Sequence, residues 1–143
     1  MMALSQTETI LAGFHQALAD GVTAPVLRNA VLPTRIPASG LMILRDGDPG
    51  EPEVVLSPLS YTFERVLDLE VYVQAASDLD AAADAIFRQI GAVIRADRTL
   101  SGACDWIEAQ APQTEALPVE GGHTIKASVV PILLTYTVTD PLI

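Results

Sequence analysis

The sequence predicts an α+β fold: a mainly antiparallel sheet with two principal helices packed on one face. Three observations carry this. Residues 61–75 alternate with period two, setting Leu67, Leu69, Val71 and Val73 on one face and Asp68, Glu70, Tyr72 and Gln74 on the other. That is the pattern of a strand with one buried side. Two segments at helical spacing stand apart from the strands rather than alternating with them. The resulting order, α-β-β-β-β-α-β-β, segregates helices and strands as α+β domains do.

Each element has its own warrant. Ser5-Gln6-Thr7-Glu8 has capping-box spacing, and Ile10, Leu11, Phe14, Ala17 and Leu18 follow at helical intervals until Gly21. A first helix over residues 5–19 is expected. Residues 23–60 are broken by Pro25, Pro33, Pro37, Pro49, Pro52 and Pro58, leaving short strands at 26–31, 41–45 and 53–56. Between the last two, Asp46-Gly47-Asp48-Pro49-Gly50-Glu51-Pro52 is dense in turn formers and reads as an exposed, mobile loop. After the long strand, Ser77-Asp78-Leu79-Asp80 supplies an N-cap and first-turn carboxylates for a second helix. Its apolar stripe runs Leu79, Ala82, Ala83, Ile86, Phe87, Ile90, Val93 and Ile94, with Arg88 and Arg95 toward the C-terminal half. Strands at 103–109 and 124–138 complete the set, separated by a Pro- and Gly-bearing stretch at 111–122. Pro131 lacks an amide donor, so the last strand is expected to be an edge or bulged there.

A chain of 143 residues fits a single domain over residues 1–143 and buries about 70% of its unfolded surface. Half the residues are hydrophobic, but only 5% are aromatic, so aliphatic side chains must build the core. A net charge of −10 with eight dispersed Lys and Arg offers no footprint for sequence-specific nucleic acid binding and none for anionic lipid. Residues 1–9 lack a basic residue, and the longest apolar run is the six residues 129–134. A signal peptide or a membrane span of about 18 residues is therefore not expected. The single cysteine, Cys104, forms no internal disulfide. The expectation is a soluble, cytosolic product.

No pattern of catalytic or ligand-binding residues emerges. Cys104, Asp105 and His123 invite a thiol-nucleophile reading, but no nucleophile-elbow signature surrounds Cys104. A strand cysteine and a loop histidine is the plainer account. His15 falls on the side of the first helix away from Ile10, Phe14 and Leu18 and is expected to face solvent. Two histidines and one cysteine, none at ligand spacing, leave no zinc site. Asp46, Asp48, Glu51 and Glu53 lack calcium-loop spacing, and Gly121-Gly122 lacks a phosphate-loop context. Asp68 and Glu70 lie roughly 7 Å apart on one strand face, which an exposed face explains without acid–base work. No catalytic residue, cofactor or metal is assigned. The polar face itself, Glu64, Asp68, Glu70, Tyr72 and Gln74, suits solvent, a subunit interface or a pore wall.

The whole layout resembles the tail terminator (tail-completion, minor tail) proteins of long-tailed bacteriophages and phage-derived gene transfer agents. The features that match are the helix over 7–18, the Pro-rich segment 32–37 and the strand 67–73. They continue through the helix 79–94, the turn Asp97-Arg98-Thr99-Leu100-Ser101-Gly102 and the late strand ending Leu134-Thr135-Tyr136-Thr137-Val138. The family carries Thr-Leu-Gly-Gly or a close variant in that turn, and Ser101 here replaces the first glycine. The resemblance implies a non-enzymatic structural protein of the virion tail, assembled in the bacterial cytoplasm as a hexameric ring. The implied ring ends tail-tube polymerisation and offers the surface the head joins. Its implied partners are further copies of this chain, the tail tube protein and a head–tail connector protein. Under this reading Arg45, Asp46, Asp48, Glu51, Glu53, Arg65, Asp68, Glu70, Tyr72 and Gln74 are interface candidates. An acidic lumen would let a DNA backbone slide past. Two other readings compete: an adaptor whose sheet edge near Pro131 accepts a partner strand, and a thiol enzyme using Cys104 and His123.

Overall fold

Along the chain, the elements are α1 (Gln6–Gly21), β1 (Val26–Arg28), β2 (Leu41–Arg45), β3 (Glu53–Leu56), β4 (Leu59–Gln74), α2 (Leu79–Ala96), β5 (Trp106–Ala109), β6 (Gln113–Leu117) and β7 (Ile125–Val138). The structure is a computed structural model that describes residues 3–75, 77–117 and 123–143. Gly121-Gly122 lies outside the described residues.

The sheet is organised by its two long strands. β4 and β7 pair antiparallel without a break from Tyr61↔Val138 to Gln74↔Ile125. Each then shares its outer edge between two shorter strands. β2 and β3 pair antiparallel with the two ends of β4, while β5 and β6 do the same along β7. β1 adds to β2 as the one parallel pair among the described residues. The α+β reading holds, with a seven-stranded mixed sheet that is mostly antiparallel.

The alternation read from the sequence decides which face is covered. Leu67, Leu69, Val71 and Val73 of β4 join Val130, Ile132, Leu134 and Tyr136 of β7 in the main core. Over them lie Ile10, Leu11, Phe14 and Leu18 of α1 and Ala83, Ile86, Ile90 and Ile94 of α2. Phe63 stacks on Tyr136 with ring centroids 5.3 Å apart. The opposite face is covered in part: Ile36 closes over Leu41 and Ile43, with Leu32, Tyr72 and Ile125 packed around them.

Several expectations need correcting. In the capping box, Ser5 Oγ accepts from the Glu8 amide at 3.1 Å, but the Glu8 carboxylate turns to Arg28 instead of back to the cap. Asp78 caps α2 from a left-handed conformation (φ 60°) without a side-chain hydrogen bond, and only its carbonyl engages the helix, through the Ala82 amide. The second helix runs to Ala96. The third short strand of the early segment is as expected, whereas the first ends at Arg28. The stretch at 111–122 contains β6, a strand the sequence reading lacked.

Pro131 is neither on an edge strand nor at a bulge. It sits in β7, opposite Asp68 of β4, within the unbroken ladder. Its carbonyl accepts from the Gln110 amide at 2.8 Å, so its nitrogen points to that same side. That side is the junction where β5 ends and β6 begins, and the missing donor removes no bond to β4. An adaptor edge at Pro131 is thereby overturned.

Candidate interaction surface

Three groups of polar residues and one apolar projection account for the predicted interface positions. The first group is a scaffold clamp. Arg28, alone at the end of β1, donates to Glu8 at 2.6 and 2.9 Å and to Asp46 at 2.9 and 2.9 Å. Asp46 is fixed further, its amide donating to Asn29 Oδ1 and its carbonyl accepting from Arg65 Nε. The Arg28 hydrogen bonds hold the Glu8 carboxyl below its ordinary value. Burial works against the charge of Asp46, but the bonds from Arg28 and Asn29 outweigh it and lower that carboxyl too. Asp46 and Arg65, expected at an interface, are thus half-buried members of the frame. Arg65 also donates to Tyr136 Oη at 3.3 Å.

The loop after Asp46 is likewise anchored at its start rather than free. Gly47 adopts φ +63° against β4, and a Cβ there would run into the Val66 carbonyl. Only from there do Asp48 and Glu51 turn outward.

The second group lies on the sheet face away from the helices. Arg45 Nε and Nη2 reach Glu70 at 3.0 and 3.3 Å, and Tyr72 Oη donates to the same carboxylate at 2.6 Å. Burial, with Glu70 beside it, pushes the Tyr72 phenol up to about 12. Burial raises the Glu70 carboxyl, and the Arg45 and Tyr72 bonds more than reverse that. Next to this pair is a hollow of about 440 Å³ lined by Leu32, Glu70, Tyr72, Gln113, Thr114 and Ser128. Within it the Thr114 and Ser128 hydroxyls meet at 3.1 Å. Among the described residues, no buried side-chain polar atom lacks a partner and no cluster has the makings of a metal site. At the far end of this face, Gln74 donates to the His123 carbonyl at 2.7 Å.

The third group consists of Asp48, Glu51, Glu53, Glu64 and Asp68, which are exposed and make no ion pair among the described residues. These remain outward-facing charges, as the sequence reading expected.

The residues of the thiol reading do not meet. Cys104 is 5% exposed in the turn before β5, its Sγ 3.7 Å from the Arg98 carbonyl. Asp105 donates its amide to Thr135 at one end of β7, whereas His123 precedes Ile125 at the other. Ten strand residues separate those ends, about 30 Å. Burial, aided by Asp105 and Asp97, pushes the thiol up to about 11, the opposite of nucleophile activation. His15 is half-buried and hydrogen-bonded to the Val26 carbonyl at 3.0 Å, not free in solvent.

What sequence reasoning missed is the apolar projection. β3 and the start of β4 form a hairpin through Leu56↔Leu59, and β3 is exposed along its whole length. Val54, Val55, Leu56 and Leu59 are 44, 49, 81 and 45% exposed. Since β7 ends opposite Tyr61, the hairpin tip overhangs the sheet. The same end carries exposed Leu142 and Ile143, tied to α1 through Ile143 O and the Gln6 amide. The only signal in the sequence was Val54-Val55-Leu56, which ordinarily reads as a buried strand.

Comparison with known proteins adds little. No family model matches the chain, and no curated protein matches it. Among solved structures, a chain from "Virion of native gene transfer agent (GTA) particle" aligns over 87% of this chain and 92% of its own, at 17% identity and a TM-score of 0.41. A likeness of that size carries no inference about function.

Proposed function

We propose that this chain is a structural subunit of a phage-like tail that closes into a ring and caps the tail tube. In that role it ends tube polymerisation and presents the surface to which a head–tail connector joins. One observation supports an assembly role above all: the tip of the hairpin of residues 53–62 projects past the sheet with apolar side chains on both faces. Contiguous exposed apolar surface of this kind marks a protein–protein contact. The polar candidates fit the same picture. Arg45 and Arg65 spend their hydrogen bonds bracing the frame, while the carboxylates without an ion pair among the described residues face outward. Tail identity rests on the resemblance of residues 7–138 to the terminator family.

A ring former has two unlike faces, and closure satisfies both in every subunit, so growth stops. The test is electron microscopy of the concentrated protein, alone and with polymerising tail tube subunits. Rings alone, or tubes that stop growing once the protein is added, are the expected outcomes. Tubes that elongate unchanged, with no rings, would count against the proposal. The open outer edge of β3 also favours a second reading, an adaptor that accepts an extended peptide there. Such a protein would remain monomeric and bind the peptide without closing a ring.

A further inference from the structure

The hairpin arm has an apolar tip and an acidic root. Asp48, Glu51 and Glu53 lie along the segment that leads into it, and none has a cationic partner among the described residues. The chain is short of free cations. Arg28, Arg45, Arg98 and Lys126 are in ion pairs, and Arg65 is bound to the Asp46 carbonyl. Arg35, Arg88 and Arg95 make no ion pair or side-chain hydrogen bond among the described residues, and all three are exposed.

Arg88 and Arg95 belong together. Seven residues apart on α2, they share its outer face, about 10 Å apart along the axis. Between them Gly91 and Ala92 are exposed, with no atom near the place a Gly91 side chain would fill. Asp84, a turn before Arg88, is also on that face, and it makes no ion pair among the described residues. The result is a shallow floor with a guanidinium at each end.

We infer that the arm of one copy seats on the outer face of α2 in the next copy, presenting the face of β3 that carries Glu53 and Val55, with Glu51 and Glu53 toward Arg88 and Arg95 and Val55 against the helix surface beside Gly91 and Ala92. The occupant is a second copy of this chain because the surplus charges of the two surfaces are opposite and their spans comparable. Arm and helix are different surfaces, so the contact is head-to-tail, the type that generates rings when its rotation closes. Desolvation of the apolar tip supplies affinity, and the ion pairs set partner and register. The inference rests on the ring reading above and names the contact that reading leaves open.

Charge reversal tests it. Glu51→Arg with Glu53→Arg gives a protein whose arm and helix are both basic, and Arg88→Glu with Arg95→Glu gives one in which both are acidic. Each variant alone should self-associate at least tenfold more weakly than wild type, read by sedimentation velocity across protein and salt concentrations. Mixed one to one, they should reassemble by alternating, and the quadruple variant should assemble by itself. Recovery on mixing also excludes misfolding as the cause of the loss. If wild type assembles and both variants do so equally well, this contact is wrong and the ring reading stands. Loss of assembly without recovery on mixing or in the quadruple variant also overturns the contact. Wild-type protein that stays monomeric throughout, and leaves growing tubes uncapped, overturns the ring reading and the contact with it.

Discussion

Arg28 joins the start of α1, the end of β1 and the exit of β2 through two carboxylates. Its removal leaves Glu8 and Asp46 facing one another, so Arg28→Ala should cost about 2 kcal/mol at neutral pH, read by urea unfolding. Glu8, Asp46 and Glu70 all ionise more readily folded than unfolded. The stability they add is therefore complete above their unfolded values, near 4.5 for glutamate, and is lost as pH falls through the lower folded values. Urea midpoints should drop on acidification below about pH 4.5, and Arg28→Ala should flatten that decline. The thiol of Cys104, buried and raised to about 11, should resist a thiol reagent at pH 8 in native protein and react fully once unfolded. Ser101 is a third case. It holds φ 58° between Leu100 at φ 50° and Gly102 at φ 90°, where the resembling family has glycine. Asp97 offsets part of the strain by accepting from the Ser101 amide at 2.9 Å. Ser101→Gly keeps that bond and removes the Cβ penalty, so it should stabilise the protein by about 1 kcal/mol in thermal unfolding.

At the scale of elements, the loop between β2 and β3 offers a direct comparison. Gly47 and Gly50 both have positive φ, but a Cβ at Gly47 collides with the Val66 carbonyl, whereas one at Gly50 only touches the Glu64 carbonyl at an ordinary 4.0 Å. Gly47→Ala should cost about 2–3 kcal/mol and Gly50→Ala about 1 kcal/mol by the same urea assay. Legibility divides along similar lines. α1, α2 and β4 could be read because periodicity and burial coincide in them: one face of each meets the core. β6, Gln-Thr-Glu-Ala-Leu, carries no such pattern, being specified by the open edge of β7 that it pairs with. The clamp was hidden for a different reason. Glu8 read as half of a capping box and Arg28 carried no signal of its own, and only the fold brings them together across 20 residues. The strand of residues 53–56 was legible, but its exposure was not, because that is decided by the absence of a covering layer in the fold rather than by Val54-Val55-Leu56 themselves.

For the whole molecule, acidity and an unsatisfied apolar arm point the same way. A net charge of −10 keeps free subunits apart, and association must come from a local patch strong enough to overcome it. Of the interface candidates, the frame took Asp46, Arg65, Gln74 and the Arg45–Glu70–Tyr72 set, leaving Asp68 exposed on the sheet and Asp48, Glu51 and Glu53 beside the arm. The central claim is closed self-assembly, and light scattering coupled to size exclusion tests it most directly, run over a wide range of protein concentration. The account predicts one discrete species of fixed mass, about 91 kDa for six copies of 15.2 kDa, that appears as concentration rises and then grows no further. A mass that stays at one subunit throughout, or climbs without limit, would contradict it.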